Sequence, residues 1–153
     1  MDEDVKKWSN DTLNDPVISI LLKHSNLTKI QFETVIIDII SESSPSNGFR
    51  YEDKAKMRAT KVSRGAFNRS LNQARKNIIS SVYTVLLLSY IGLFKGPLFE
   101  DYENLAEKLR EYTALYKTYG EAPRVQATLI SNIEKELLEG IDRLAKPRAL
   151  KSQ

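Results

Sequence analysis

The sequence of 153 residues contains no cysteine and a single histidine, His24. Without cysteine there is neither a disulfide framework nor a thiolate metal site, and this composition fits a reducing compartment. His24 has no second histidine with which to share a metal ion, and it falls near a predicted helix end. The acidic start Met1-Asp-Glu-Asp lacks the basic and apolar regions of a signal peptide. We therefore expect no metal, no cofactor and a cytoplasmic location.

The common catalytic patterns are absent as well. The sequence has no phosphate-binding Gly-rich loop, no His-Glu-x-x-His motif and no Ser-His-Asp set with a usable histidine. Acidic residues cluster at 100–107 and at 134–142. The first cluster suits the positive end of a helix dipole, and the second suits a solvated helix face. Because no residue stands out as catalytic, we expect the protein not to be an enzyme.

Residues that form turns are scarce, with 6 glycines and 5 prolines. Every long apolar pattern has helical spacing, and no segment shows the alternation of a half-buried strand. Hydrophobic residues make up 41% and charged residues 28% of the chain, which is typical of a globular domain and too apolar for general disorder. The sequence therefore predicts an all-α protein of six or seven helices.

Capping residues mark the predicted helix starts. The pair Asp15-Pro16 predicts one start, and Thr28-Lys-Ile-Gln31 forms a capping box that opens a helix to about residue 43. Residues 1–15 fit either a frayed segment or a short helix, residues 41–48 form a loop, and the last helix should span about 123–145. The side chains expected to face the core from these helices and from a charged helix at 49–59 are Phe32, Ile36, Ile39, Ile40, Tyr51, Ala55, Met57, Ile133, Leu137, Ile141 and Leu144.

Residues 78–94 are apolar on nearly every helical face. The stretch is shorter than the about 20 apolar residues of a typical membrane span, so a helix buried on all sides, in the core or in a dimer interface, is expected. A membrane-associated protein is a third interpretation that depends on this stretch alone. The following helix, Leu98–Tyr119, has a heptad-like seam, and its tyrosines suit a core or a subunit interface better than a ligand pocket. The seam consists of Leu98, Tyr102, Leu105, Leu109, Tyr112 and Tyr116.

Positive charge is concentrated in residues 50–77. This stretch contains nine basic and two acidic residues, a net charge of +7, whereas the whole chain carries +3, so the remainder carries −4. A basic block in an otherwise acidic protein predicts an anionic partner, and nucleic acid is the first candidate.

Within this block, Ser63 is a helix N-cap, and the residues after it separate into two faces. Leu71, Ala74 and Ile78 lie within about 40° of Phe67 at 100° per residue and form a buried stripe with it. The opposite face carries the side-chain types that bond base edges in the major groove, and the helix start suits phosphate. The residues predicted to contact DNA are Lys61, Ser63, Arg64, Gly65, Asn68, Arg69, Asn72, Gln73, Arg75 and Lys76.

The start of this helix resembles a known DNA-binding pattern. The run Val62-Ser63-Arg64-Gly65-Ala66-Phe67, followed by Leu71 and by Ala74-Arg75-Lys76, is similar to the recognition helix of sigma-factor region 4 and related helix-turn-helix domains. The resemblance covers residues 62–76 and implies that this helix enters the major groove as the second helix of a helix-turn-helix at about 50–77. It implies DNA contact and does not extend to polymerase binding.

These features together predict a sequence-specific double-stranded DNA-binding protein that acts as a homodimer, with transcriptional regulation as its commonest use. Dimerisation follows because one helix reads few base pairs and two half-sites supply specificity. We expect a helical domain at 1–95 that contains the helix-turn-helix, a helical hairpin for dimerisation at 96–146, and a frayed tail at 147–153.

A different class of function remains open. Residues 78–94 and the seam of Leu98–Tyr119 can bind partner proteins, as in a helical subunit of a larger nucleoprotein assembly such as the small subunit of an RNA-guided complex. The basic block would then hold RNA or single strands. The aromatic residues near that block are Phe49, Tyr51 and Phe67, and Phe67 is predicted to point inward. Few aromatic side chains are therefore available for bases to stack on.

Overall fold

The computed structural model describes residues 2–43, 49–92, 98–119 and 122–145. Within these ranges it contains seven helices and no strand, which confirms the predicted all-α fold. The chain divides into two compact units, Met1–Val82 and Tyr83–Gln153. Residues 44–48 of the predicted loop and the predicted tail 147–153 lie outside the described residues. The helices are α1 (Asp2–Leu13), α2 (Pro16–Lys23), α3 (Lys29–Glu42), α4 (Tyr51–Met57), α5 (Arg64–Tyr90), α6 (Leu98–Tyr119) and α7 (Pro123–Ala145).

Two helix starts have the predicted capping contacts. The Oδ1 atom of Asp15 accepts hydrogen bonds from the backbone N–H of Val17 at 2.8 Å and of Ile18 at 3.3 Å, where α2 begins. At α3 the N–H of Gln31 donates to Thr28 Oγ1 at 3.2 Å, and the N–H of Thr28 donates to Gln31 Oε1 at 3.0 Å. These bonds satisfy amides that a helix start leaves unpaired, so they fix where α2 and α3 begin.

The core of the first unit lies between α1, α3, α4 and the first part of α5. Phe67 and Leu71 of α5 pack with Ile37 of α3 and Met57 of α4, and Val5 of α1 joins the same cluster. Burying an apolar side chain of this size contributes about 1.5–3 kcal/mol. Residues 1–15, for which the sequence left two possibilities open, therefore supply the helix α1 and a core residue.

The inner face of α3 differs from the one that its apolar residues predicted. Ile36 is buried as expected, but Ile39, which was predicted to face the core, is 57% exposed, and Ile37 is fully buried instead. Ile37 and Ile39 lie about 160° apart on a helix with 100° per residue. The prediction counted apolar residues only, whereas the buried face of α3 also includes the charged residues Glu33 and Asp38.

The buried carboxylate of Asp38 joins α3 to both α4 and α5. Its Oδ1 atom accepts from Lys54 Nζ at 2.7 Å, and its Oδ2 atom accepts from Arg75 Nη2 at 2.8 Å. The side chains of Asp38 and Lys54 are almost completely buried, while that of Arg75 is half exposed. Two cations therefore neutralise one buried anion, and the three helices are held in a fixed arrangement around it.

Glu33, one turn earlier on α3, holds the connection between α4 and α5. Its Oε2 atom accepts from Arg58 Nε at 3.2 Å, and its Oε1 atom accepts from the backbone N–H of Ala59 at 2.7 Å. Both Glu33 and Arg58 are buried. Because a buried charge is tolerated when it is paired and hydrogen-bonded, these contacts keep Arg58 and Ala59 against α3.

The second unit contains the hairpin of α6 and α7. Leu109 of the predicted seam is buried, as are Ile133 and Leu137 of the predicted stripe on α7. Tyr102 and Ile141 are partly exposed instead of buried. The bounds predicted for α6 and α7 are confirmed, but apolar periodicity alone overestimates how much of each stripe the partner helix covers. The side chains of Leu98 and Leu144 lie outside the described residues.

Gly140 marks the closest approach of α7 to α6. A Cβ atom at this position would lie 2.8 Å from Leu105 Cδ1 and 3.0 Å from Leu105 Cδ2, both nearer than carbon atoms normally pack. Glycine weakens a helix interior by about 1 kcal/mol relative to alanine, so its presence here fits a need for space. A second contact between the helices is the hydrogen bond from Gln126 Nε2 to the hydroxyl of Tyr116.

Residues 78–92, the described part of the stretch predicted to be buried in the core or in a dimer interface, are not buried in the core. Helix α5 continues unbroken to Tyr90, but most of its apolar side chains there are exposed. Among the described residues, no helix is long and apolar enough to cross a membrane. The exposed side chains, called the apolar ridge below, are Ile78, Ile79, Val82, Tyr83, Leu86, Leu87, Tyr90 and Ile91.

Replacing Asp38 with alanine should lower the free energy of unfolding by about 3–5 kcal/mol, because the buried Lys54 then keeps only the exposed Glu42, 4.0 Å away, as a counter-charge. Arg75→Ala should have a smaller effect, since half of that side chain is exposed. Urea unfolding followed by circular dichroism measures both. The control is Asp11→Ala, at an exposed carboxylate of α1, which should change stability by less than about 0.5 kcal/mol. Equal effects of Asp38→Ala and Asp11→Ala would contradict the role assigned to the buried carboxylate.

Candidate nucleic-acid interface

The first half of α5 is positioned by a cap and by three buried side chains. The hydroxyl of Ser63 accepts a hydrogen bond from the N–H of Ala66 at 3.2 Å, which confirms the predicted N-cap. Phe67, Leu71 and Ala74 are buried, as the stripe predicted. Ile78, the fourth member of the predicted stripe, is partly exposed and belongs to the apolar ridge, because the core of the first unit ends one turn before it.

The residues predicted to contact DNA lie together along the side of α5 that faces away from this core. Gly65, Arg69, Asn72 and Lys76 follow one another at spacings of 4, 3 and 4 residues, about opposite to Phe67 on the helix. All four are exposed, and we call them the crest of α5. The other predicted contact residues flank the crest: Lys61, Ser63, Arg64, Gln73 and Arg75 are exposed, and Asn68 is half-buried.

Part of the positive charge in residues 50–77 is neutralised inside the protein. Lys54, Arg58 and Arg75 pair with the carboxylates of Asp38 and Glu33, which lie outside that stretch. Adding two negative charges to the net charge of +7 leaves +5. Arg75, predicted to contact DNA, therefore also has a structural partner, and its exposed half is the part available to a ligand.

The cations on and beside the crest differ in how they are engaged. Arg64 Nη1 lies 3.8 Å from Glu52 Oε1, and because both side chains are exposed, this pair is weak. Lys61, Arg69 and Lys76 form no ion pair with any of the described residues. These three are the cations that a polyanion would meet without first displacing an internal partner.

Amide side chains lie on the crest, at Asn72, and beside it, at Gln73, but that of Gln73 is already hydrogen-bonded within the protein. Gln73 Nε2 donates to Asn77 Oδ1 at 3.1 Å, and Asn77 Nδ2 donates to the backbone oxygen of Asn26 at 2.7 Å. Asn77 thereby ties α5 to the segment between α2 and α3, a role that sequence reasoning missed. Asn72 makes no side-chain hydrogen bond within the described residues, so both its donor and its acceptor are open to a base edge.

The connection between α4 and α5 consists of residues 58–63. A helix-turn-helix commonly joins its two helices through three or four residues. Here six residues are used, and Glu33 holds the first two of them against α3. The orientation of α5 is therefore set mainly by the contacts of Asp38 and Glu33 with their partners, and less by a short turn between the helices.

Comparison with protein-family models, with curated proteins and with solved structures finds no significant match. Among the described residues, no three histidine, cysteine, aspartate or glutamate side chains are placed to hold a metal ion. The crest and its flanking residues are chemically suited to bind an anion that also presents hydrogen-bonding edges.

Two substitutions at Ser63 should separate capping from anion contact. Ser63→Ala removes the cap and should lower the free energy of unfolding by about 1 kcal/mol, whereas Ser63→Asp should keep stability within a few tenths, because aspartate caps as well as serine. The carboxylate of Ser63→Asp should nevertheless weaken the binding of a polyanion. Thermal unfolding and a nucleic-acid titration of both variants test this. Unchanged binding by Ser63→Asp would mean that the start of α5 does not face the ligand.

Proposed function

We propose that the protein binds double-stranded DNA by placing the first half of α5 in the major groove. The observation that carries the proposal is the crest of Gly65, Arg69, Asn72 and Lys76, exposed and about opposite the buried Phe67. The major groove is about 12 Å wide and accepts a helix of about 10–12 Å diameter.

Each crest residue suits a distinct part of the duplex. Arg69 matches the two acceptors of guanine, and Asn72 matches the donor and acceptor of adenine. Lys76, Lys61 and the amides at the start of α5 suit backbone phosphates, which fix position without reading sequence. Gly65 adds no side chain, so the backbone of α5 can approach the groove closely at that point.

The rigidity of α5 supports this proposal. Its first half is fixed by three buried apolar side chains, by the hydrogen bond of Arg75 to Asp38 and by that of Asn77 to Asn26. A surface that is ordered before binding loses less conformational entropy when the complex forms. The crest therefore meets the DNA already in its final geometry.

The apolar ridge supports a homodimer. Its members occur as adjacent pairs that recur every four residues, from Ile78 and Ile79 to Tyr90 and Ile91. A ridge with this spacing is inclined to the helix axis, and two such ridges interdigitate when the helices cross at about −50°. A second copy presents the same ridge, as a twofold interface requires. We therefore propose a dimer through α5 that presents two crests to two half-sites, as a transcriptional regulator does.

The same ridge also favours a second candidate function, a helical subunit of a larger nucleoprotein assembly in which another protein covers the ridge. Single-strand binding by this subunit is less well supported. Phe67 is buried, and the ring of Tyr51 lies beside Phe67 at 6.5 Å between centroids and 5.4 Å from Lys54 Nζ, so only the exposed 38% of Tyr51 is available for a base to stack on.

The DNA proposal is tested by fluorescence anisotropy with duplex DNA, single-stranded DNA and RNA over a salt series. We expect a preference for duplex and a loss of sequence discrimination of about 1–3 kcal/mol per base contact in Arg69→Ala/Asn72→Ala. Lys61→Ala should weaken all duplexes alike and reduce the salt slope by about 1.

The matched control is Asn104→Ala/Arg110→Ala, which removes the same two side-chain types from exposed positions of α6. It should bind duplex like the wild type. If the wild type shows no duplex binding at about 50 mM salt, where phosphate contacts are strong, the proposed function is wrong. A preference for RNA or single strands would favour the nucleoprotein-assembly function.

The dimer is tested by Leu86→Glu, which places a charge in the middle of the apolar ridge. Sedimentation should show a dimer for the wild type and a monomer for this variant, because a charge buried in an interface has no counter-charge there. Leu138→Glu on α7 is the control, since Leu138 is 64% exposed and Leu86 59% exposed. A wild-type monomer throughout the micromolar range would exclude the dimer.

A further inference from the structure

A polar cleft of about 170 Å³ lies in the first unit, beside the start of α5. Its walls come from α1, from the end of α4 and from residues 58–61. None of the residues on the crest of α5 lines it. The side chains that matter for its chemistry are Lys6, Ser9, Asn10, Lys56, Arg58 and Lys61.

Ser9 is the unusual member of this group. It is only 3% exposed, and its hydroxyl has no hydrogen-bond partner among the described residues. Serines elsewhere in these helices donate to the carbonyl four residues earlier, as Ser41, Ser81 and Ser89 do. A buried polar atom without a partner is uncommon. The oxygen itself is covered, but Ser9 is one of the residues that line the cleft, and a change of its χ1 rotamer would bring the hydroxyl to a ligand there.

The charge of the cleft defines the class of ligand. Four cations and one carboxylate, that of Glu33, line it, which leaves a net charge of +3. Both oxygens of Glu33 are already occupied, one by Arg58 Nε and one by the N–H of Ala59. Lys56 lies 3.6 Å from Asp53, but both side chains are well exposed, so this pair competes weakly.

The groups open to a ligand are mainly hydrogen-bond donors. Lysine ammonium groups donate only, and the Ser9 hydroxyl and the Asn10 amide can each donate as well. A cation is repelled by this set, and a neutral molecule leaves its charge uncompensated. A phosphate group, with several acceptor oxygens and a negative charge, satisfies both requirements.

We propose that this cleft binds a phosphate group, through Ser9, Asn10, Lys6 and Lys61. The phosphate can be a diester of nucleic acid bound along α5 or a free phosphate monoester. Lys61 lines the cleft and lies two residues before the N-cap of α5. A nucleic-acid backbone that runs along the crest would therefore reach the cleft. The diester source rests on the proposed function, whereas the monoester source does not.

Inorganic phosphate is the first probe, titrated at constant ionic strength and followed by the backbone amide signals of Ser9, Asn10 and Lys61 and the side-chain amide of Asn10 in ¹H–¹⁵N spectra. We expect saturable shifts. Ser9→Ala should bind phosphate about tenfold more weakly, because a hydrogen bond to a charged group is lost. The variant should remain folded, since the hydroxyl that it removes bonds to none of the residues that the structure describes.

Lys7→Ala is the matched control, because Lys7 is an exposed lysine of α1 that does not line the cleft. It should bind phosphate like the wild type. Shifts that do not saturate, or equal binding by the wild type and Ser9→Ala, overturn the proposal.

Duplex DNA is the second probe and distinguishes the two sources. If Ser9→Ala and Lys6→Ala also weaken duplex binding, and phosphate competes with the duplex, the natural phosphate is the diester. If duplex binding is unchanged in these variants while phosphate binding depends on Ser9, the site takes a monoester. Saturable phosphate binding in a protein that binds no duplex would leave the cleft in place and remove the proposed DNA function alone.

Discussion

The buried carboxylate of Asp38 is the interaction on which the geometry of the first unit depends. It brings a lysine of α4 and an arginine of α5 to the same point on α3. Buried charges of this kind are often no more stabilising than apolar residues, but a pair that has lost one partner is strongly destabilising. A rotation or slide of α5 against α3 would break the hydrogen bond of Arg75 to Asp38. Glu33 extends the same constraint to the connection before α5.

This constraint gives one helix two different surfaces. In its first half, α5 is fixed against the core by Phe67 and its neighbours, which leaves the polar crest exposed. In its second half, the apolar ridge is exposed instead. If the crest binds DNA and the ridge binds a second copy, as proposed, a single helix carries both contacts. The phosphate cleft at the start of α5 would then contact a further phosphate of the bound DNA.

Local features of this fold are predictable from sequence, and long-range ones are much less so. The caps at Asp15, Thr28 and Ser63 depend on contacts within four residues, and each was predicted from residue type and spacing. The apolar stripe through Phe67 and the exposure of the crest follow from helical periodicity. The burial of Glu33 and Asp38 depends on which distant cations reach them. The apolar pattern alone therefore predicted the wrong buried face for α3. Likewise, apolar residues on every face of the second half of α5 predict burial, but the sequence does not identify the surface that buries them.

The most direct test of the central claim observes the crest itself while DNA is added. In ¹H–¹⁵N spectra, the side-chain amides of Asn72 and Gln73 and the Nε signal of Arg69 should shift on titration with duplex DNA. The side-chain amides of Asn104 on α6 and Asn132 on α7, both exposed, should not move. Shifts confined to α6 and α7, or crest signals that stay unchanged while the duplex binds, would contradict the assignment of α5 as the DNA-contacting helix.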